Sequence, residues 1–232
     1  TAESRPILTG IHMVIANNQL KAVATDSHRL SQRIIPLEMP ETSNALTFEI
    51  TLPGKTLIEL SRIIDGLETI DFAITENQVL FQTETLSFYS RLLEGRYPDT
   101  DRLINDQFNT AITVVASDLV AAVDRASLMS HTDKNNIATL SINENRILLT
   151  GNSPEIGKVE EEIMVENYEG ASLDVSFNPD YLKDALRLFG SSEATIQFLE
   201  ANRPFTLTLK DNHSDIPYSF IQLVTPVRTF NG

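Results

Sequence analysis

The stretch Thr25-Asp26-Ser27-His28-Arg29 carries the most reactive mixture of side chains in the sequence. A histidine beside a carboxylate can act as a general base, and an arginine can hold an anion. Consecutive residues of an extended backbone point to opposite faces, however, and no nucleophile, second histidine or glycine-rich loop stands near them in sequence. A hydrolase built around Asp26 and His28 is therefore the alternative reading, set against a structural or binding turn. The chain has no cysteine, which excludes thiolate nucleophiles, disulfides and Cys-ligated metal. His12, His131 and His213 lie far apart and show no metal-ligand spacing, so they read as ordinary strand or surface histidines. Glu160-Glu161-Glu162 reads as a solvated strand edge, because one strand cannot turn three consecutive carboxylates toward one ion. No metal and no cofactor are expected.

The elements that must carry these residues can be placed from hydrophobic periodicity. Ile11/Met13/Ile15, Ile70/Phe72/Ile74, Leu173/Val175/Phe177 and Phe205/Leu207/Leu209 alternate with a period of two, the mark of half-buried antiparallel strands. Asn-containing turns separate such runs at Ala16-Asn17-Asn18-Gln19, Glu76-Asn77-Gln78, Asn143-Glu144-Asn145-Arg146 and Lys210-Asp211-Asn212. Helical spacing predicts helices over 53–65, 117–130 and 179–189. Ser117 is the expected N-cap of the second. Asn178 caps the third, with Pro179 in its first turn and Gly190 past its end.

Three features recur at one offset of 125–126 residues: the hairpin ending in Thr25 or Thr150, the helix opened by Pro53 or Pro179, and the turn at Asn77 or Asn202. The sequence thus predicts two copies of one α+β domain, over 1–104 and 105–232, with helices on one face of antiparallel sheets. The second copy adds a strand over 110–115 and the helix at 117–130. The first lacks both, and a chain that opens Thr1-Ala2-Glu3 without methionine reads as part of something longer.

With 232 residues, 41 % of them hydrophobic and 22 % charged, the chain is an ordinary globular one of about two domains. No apolar run is long enough for a membrane span, and the lack of cysteine favours the cytoplasm. A net charge of −14 argues against a protein that coats nucleic acid with its whole surface. The three helical segments nevertheless sum to only −1, with Lys55, Arg62, Arg125, Lys183 and Arg187 on them. If those faces converge they could track phosphates. The closing segment from Leu223 to Val227 stays apolar where most chains become polar, so it either packs on its own domain or lends a groove to a partner.

Arg5-Pro6-Ile7-Leu8-Thr9-Gly10, Ala24-Thr25-Asp26-Ser27-His28-Arg29-Leu30, Glu94-Gly95-Arg96-Tyr97-Pro98-Asp99 and Thr225-Pro226-Val227-Arg228 together resemble the bacterial sliding clamp family, the beta subunit of DNA polymerase III. The resemblance covers the second and third domains of that three-domain subunit. It implies a processivity factor in DNA replication, a head-to-tail homodimeric ring around duplex DNA held without sequence preference, with this piece alone monomeric. It also implies a bacterial, cytoplasmic, nucleoid-associated protein with no membrane contact. Arg5 and the five helix bases would face the DNA.

Polymerase subunits, the clamp loader and repair polymerases would dock short apolar peptides in a pocket between the two domains. Carried over by the resemblance, one side of that pocket comprises Leu8, Thr25, His28, Arg29, Leu30, Pro98, Arg102 and Leu103. The other comprises Asn178, Tyr181, Thr206, Leu223, Val224, Thr225, Pro226, Val227 and Arg228. Thr229 to Gly232 depart from the pattern by extending past the family's usual end. A two-domain β-rich carbohydrate- or protein-binding module remains the other alternative; it would not need matched helices at one offset.

Overall fold

A computed structural model describes residues 4–38, 47–130, 136–144, 146–153, 155, 157–210 and 218–228. The chain divides into two compact units: Thr1–Asp26 with Gln32–Asp99 and Pro217–Ser219, and Ser27–Ser31 with Thr100–Ile216 and Phe220–Gly232. The predicted turn at Lys210-Asp211-Asn212, His131, His213 and the extension Thr229–Gly232 fall wholly or partly outside the described residues.

The first unit contains β1 (Gly10–Ala16), β2 (Gln19–Thr25), most of β3 (Arg29–Pro36), β4 (Phe48–Pro53), α1 (Gly54–Ile63), β5 (Asp71–Ile74), β6 (Gln78–Gln82) and β7 (Ser87–Arg91). Asn17 and Asn18 both take positive φ, 52° and 57°, the paired conformation that a two-residue hairpin requires, and they join β1 to β2 in register from His12↔Val23 to Ala16↔Gln19. The strands fall into the orders β3-β2-β1-β4 and β5-β6-β7. Ile50, Leu52 and Val79 form one core cluster, with Met13, Phe48, Leu57, Ile74, Phe81 and Leu92 packed on it, and Ile15, Val23 and Leu60 are buried as well.

The second unit contains β8 (Thr110–Val115), α2 (Ala116–Ser130), β9 (Ala138–Asn143), β10 (Arg146–Ser153), β11 (Gly157–Glu162), β12 (Asn167–Gly170) and β13 (Leu173–Phe177). It continues with α3 (Pro179–Arg187), β14 (Glu193–Phe198), β15 (Phe205–Leu209) and β16 (Ser219–Val224). Its strand orders, β11-β10-β9-β13 and β12-β8-β14-β15-β16, repeat those of the first unit with β12 and β8 added. The hairpin strand pairs on both sides in each unit, β1 with β2 and β4, β9 with β10 and β13, always antiparallel. The reading of two copies of one α+β motif therefore holds at the level of strand pairing.

Alternation along β13 to β15 buries Phe177, Phe198 and Phe205, whose rings meet edge-on or tilted with centroids 6.3 and 5.1 Å apart. The α2 helix lays Leu119, Ala122, Val123 and Ala126 against α3 and β10. Among the described residues the first unit has no counterpart of β8 and α2. Its apolar surface is correspondingly open: Ile58 and Ile63 on α1 are 54 % and 42 % exposed, Phe72 on β5 is 45 % and Tyr89 on β7 is 66 %. The alternation at Ile70/Phe72/Ile74 pointed to a buried face, yet Phe72 stays nearly half exposed while meeting Phe48 edge to face, centroids 5.7 Å apart.

Helix boundaries correct two expectations. The α2 helix starts at Ala116, so Ser117 lies in its first turn and its hydroxyl donates to Asp118 instead of capping the end. The α1 helix starts at Gly54 with Pro53 in the cap position, where it offers no side-chain oxygen. Asn178 caps α3 as expected, its amide oxygen accepting from the Asp180 N–H at 2.9 Å.

Candidate functional site

In the second unit the last strand, β16, ends at Val224 with Leu223 and Val224 fully buried. Those two side chains are core residues, so at these positions the segment packs on its own domain. Thr225, Pro226 and Val227 are half-exposed, and backbone contacts hold the segment in place. The Thr225 N–H and hydroxyl both donate to the His28 carbonyl, at 2.9 and 2.8 Å, and the Val227 N–H donates to the Ser176 carbonyl at 2.7 Å. Pro226 and Val227 are therefore displayed on a tethered segment, while Arg228 is exposed.

His28 is anchored from the other side by α3. Its ring stacks on Tyr181 with centroids 5.6 Å apart and planes 17° from parallel. The Arg29 guanidinium lies over the same ring, 4.9 Å from its centroid, and pairs with Asp184 at 2.5 Å. Asp184 also accepts from Arg187 at 3.4 Å through its other oxygen. Tyr181 and Asp184 are three apart, one face of the helix, which is the signal by which sequence reasoning could have added Asp184 to the site. Leu30 is buried, and the neighbouring Gln222 amide donates to Ser31 at 2.7 Å. Stacked rings and paired ions thus surround His28, whose imidazole lies on the Tyr181 face.

Arg102 and Leu103, on the short 3-10 turn Asp101–Leu103, line a separate cleft of the same unit together with Thr206. Asn178 serves the helix cap and also meets the Asn136 amide at 3.5 Å. The remaining predicted positions belong to the first unit. Leu8 sits in a 3-10 turn (Pro6–Thr9), Pro98 is exposed, and the Thr25 N–H donates to the Tyr97 hydroxyl at 3.1 Å.

Tyr97 is buried, which raises its pKa against the opposing effect of its bond to Thr25. Its ring lies flat on His12, centroids 4.5 Å apart. Burial lowers the His12 pKa below 6.5, Glu49 pulls it up and Lys21 pushes it down. Above neutrality both folded and unfolded chains keep His12 uncharged and stability is unaffected. As pH falls through 6.5 the unfolded chain takes the proton first, so the first unit loses stability. Thermal midpoints recorded between pH 7.5 and 5 are expected to fall less steeply in His12→Gln than in the wild type; parallel curves would contradict this.

The six bases expected to face DNA divide into three situations. Arg5 and Lys55 are exposed. Arg62, Arg125 and Arg187 are exposed but paired, with Glu59 at 3.0 Å, with Glu161 on β11, and with Asp184. Lys183 departs from the expectation. Its side chain is 10 % exposed, with the ammonium held between Asp124 at 3.0 Å and Asp180 at 3.1 Å. Burial lowers its pKa, but bonds to these carboxylates outweigh that and raise it overall. Its charge ties α3 to α2, so it is not available to a phosphate. Spacing along α3 alone could not reveal Asp124, which arrives from another helix. Glu160 and Glu162 pair with Lys158 and with Arg146, so the triple glutamate of β11 meets bases on all three side chains.

Profile matches cover nearly the whole chain: residues 1–99 fit the DNA polymerase III beta subunit central domain, and 101–222 its C-terminal domain. The chain belongs to the DNA polymerase III beta subunit family. Curated relatives in this beta subunit family include the beta sliding clamp of Streptococcus pneumoniae, 46 % identical over 231 residues, and that of Bacillus subtilis, 41 % identical over 232. Each alignment takes in 99 % of this chain and 59 % of the relative, so the chain spans under two thirds of their length. Crystal structures agree: the beta chain of DNA polymerase III from S. pneumoniae matches with a TM-score of 0.91 and the B. subtilis sliding clamp with 0.90, each over 99 % of this chain and 59 % of theirs. No helix among the described residues is long and apolar enough to cross a membrane.

Proposed function

We propose that this chain contributes two clamp domains to a replication processivity factor, a non-catalytic ring that surrounds duplex DNA and tethers polymerases through short apolar peptides. The observation that carries the reading is the tethered segment Thr225–Arg228 presented beside the His28–Tyr181–Arg29 stack. Apolar surface flanked by a few fixed polar groups suits a peptide that lends one or two large side chains. Leu8, Thr25 and Pro98 are assigned to peptide contact by resemblance, and Arg5, Lys55, Arg62, Arg125 and Arg187 to phosphate contact. A ring keeps its hold by topology, so these few exposed bases would give weak, salt-labile contacts that permit sliding.

Residues 1–104 serve in this reading as the middle domain without its first strand and helix, and 105–232 as the C-terminal domain. The exposed Ile58, Ile63 and Phe72 support that assignment, since in the second unit the corresponding elements α3 and β14 are covered by α2 and β8.

Calorimetry with a capped pentapeptide bearing a leucine and a terminal phenylalanine tests the peptide function. Burial of two such side chains is worth roughly 3–6 kcal/mol, so binding weaker than about 1 µM but measurable at millimolar peptide is expected. Tyr181→Ala and the more exposed His28→Ala should each weaken it at least about fivefold. Equal affinity for wild type and both variants, with unchanged circular dichroism, would place the peptide elsewhere.

A further inference from the structure

A cleft of about 250 Å³ opens in the second unit between the 3-10 turn at Asp101–Leu103 and the turn that joins β14 to β15. Its lining contains two guanidinium-bearing residues, Arg102 and Arg203, the amides of Gln107 and Gln197, and no carboxylate. In a chain with 32 acidic residues against 18 bases, such a lining is a local reversal of charge. Arg203 makes no side-chain hydrogen bond or ion pair among the described residues; its position is set by its backbone N–H, which donates to the Glu200 carbonyl at 3.1 Å. A planar fork of donors carried on a turn and neighboured by amide side chains can receive a planar acceptor with two oxygens.

The cleft neighbours the proposed peptide site along the sheet. Arg102, Leu103 and Thr206 line the cleft and are assigned to peptide contact by resemblance, and Thr206 pairs with Leu223 across β15 and β16, two residues before the tethered Thr225. A peptide seated on Pro226 and Val227 thus has a neighbour subsite of opposite chemistry, with room for one or two side chains.

We infer that this cleft takes an aspartate or glutamate side chain flanking the apolar anchors of the bound peptide, and that Arg203 is the residue that selects it. The inference rests on the peptide-binding reading and adds partner chemistry to it: partners would be sorted by an acidic flank as well as by apolar anchors.

Three peptides with the same apolar anchors test it by calorimetry at about 50 mM salt, where surface charge is weakly screened. One carries a glutamate flank and a capped C-terminus, the second a glutamine flank and a capped C-terminus, and the third the glutamine flank with a free terminal carboxylate. The wild type is expected to prefer the glutamate peptide over its capped glutamine twin by about five- to tenfold. In Arg203→Glu that ratio should fall to about one or below. Because Arg203 is exposed, this variant keeps its fold, which a thermal melt checks. Equal affinities for the two capped peptides in the wild type, or a preference that survives Arg203→Glu, would overturn the inference. So would a response to Arg203→Glu confined to the free-carboxylate peptide, which would give the cleft to a chain terminus. If no peptide binds at all, it is the peptide-binding function that fails.

Discussion

Replacing Gly151 with valine is expected to remove most of the stability of the second unit. Gly151 lies on β10 where α2 crosses it, and a Cβ built there would sit 2.3 Å from the Ala126 carbonyl oxygen and 3.0 Å from its carbon. Both atoms are helix backbone and cannot rotate aside. Ala126 itself has no exposed surface, so α2 must lift off the sheet and take Leu119 and Val123 out of contact. Overpacking against side chains commonly costs ~1–3 kcal/mol; here the obstacle is main chain, and a cost of about 3–5 kcal/mol is expected, comparable with the whole stability of a small domain. Chemical denaturation monitored by circular dichroism reads it out, with Asn152→Val at the next, exposed position as the comparison. A Gly151→Val protein with the wild-type midpoint would show that α2 does not rest where the structure puts it.

Deleting residues 225–232 is expected to abolish peptide binding while the second unit still unfolds cooperatively. The ladder of β16 ends at Val224, and the buried Leu223 and Val224 remain, so the core is untouched. The cut removes the display of Pro226 and Val227 and three hydrogen bonds, two to His28 and one to Ser176. At ~0.5–1.5 kcal/mol each, their loss lowers stability by no more than a few kcal/mol. The deletion also frees the loop carrying His28, so binding should suffer beyond the loss of direct contacts. Calorimetry against the leucine–phenylalanine peptide, alongside a thermal melt, separates the two effects. Retention of wild-type affinity by the truncated protein would show that the pocket lies elsewhere.

The parts of this fold that can be read from sequence are those fixed by local chemistry. Two asparagines at 17 and 18 specify a hairpin because both can take positive φ, and Asn178-Pro179 specifies a helix start because the side chain supplies an acceptor that the first turn lacks. The strand pairing obeys the same logic at longer range, since a repeated pattern must find repeated partners. The features that escape are set by residues far apart in the chain. Lys183 has the helical spacing of a solvent-facing base, yet Asp124 from α2 turns it into an internal tie. Leu223 and Val224 are apolar enough for a groove wall or a core, and only the strand they complete decides for burial. Arg203 has no motif around it at all; only the cleft gives it a role.

The unequal dressing of the two copies has a kinetic side. Among the described strands β5 ends its sheet, whereas its counterpart β14 is bonded on both sides, by β8 and β15. The α1 helix of the same unit buries a single residue, Leu60. Detaching β5 therefore breaks one set of ladder bonds, to β6, while detaching β14 breaks two, to β8 and β15. On warming, the first copy loosens from its sheet edge inward while the second holds, so the His28 loop and the Thr225–Arg228 segment, both housed in the second, outlast much of the rest of the molecule.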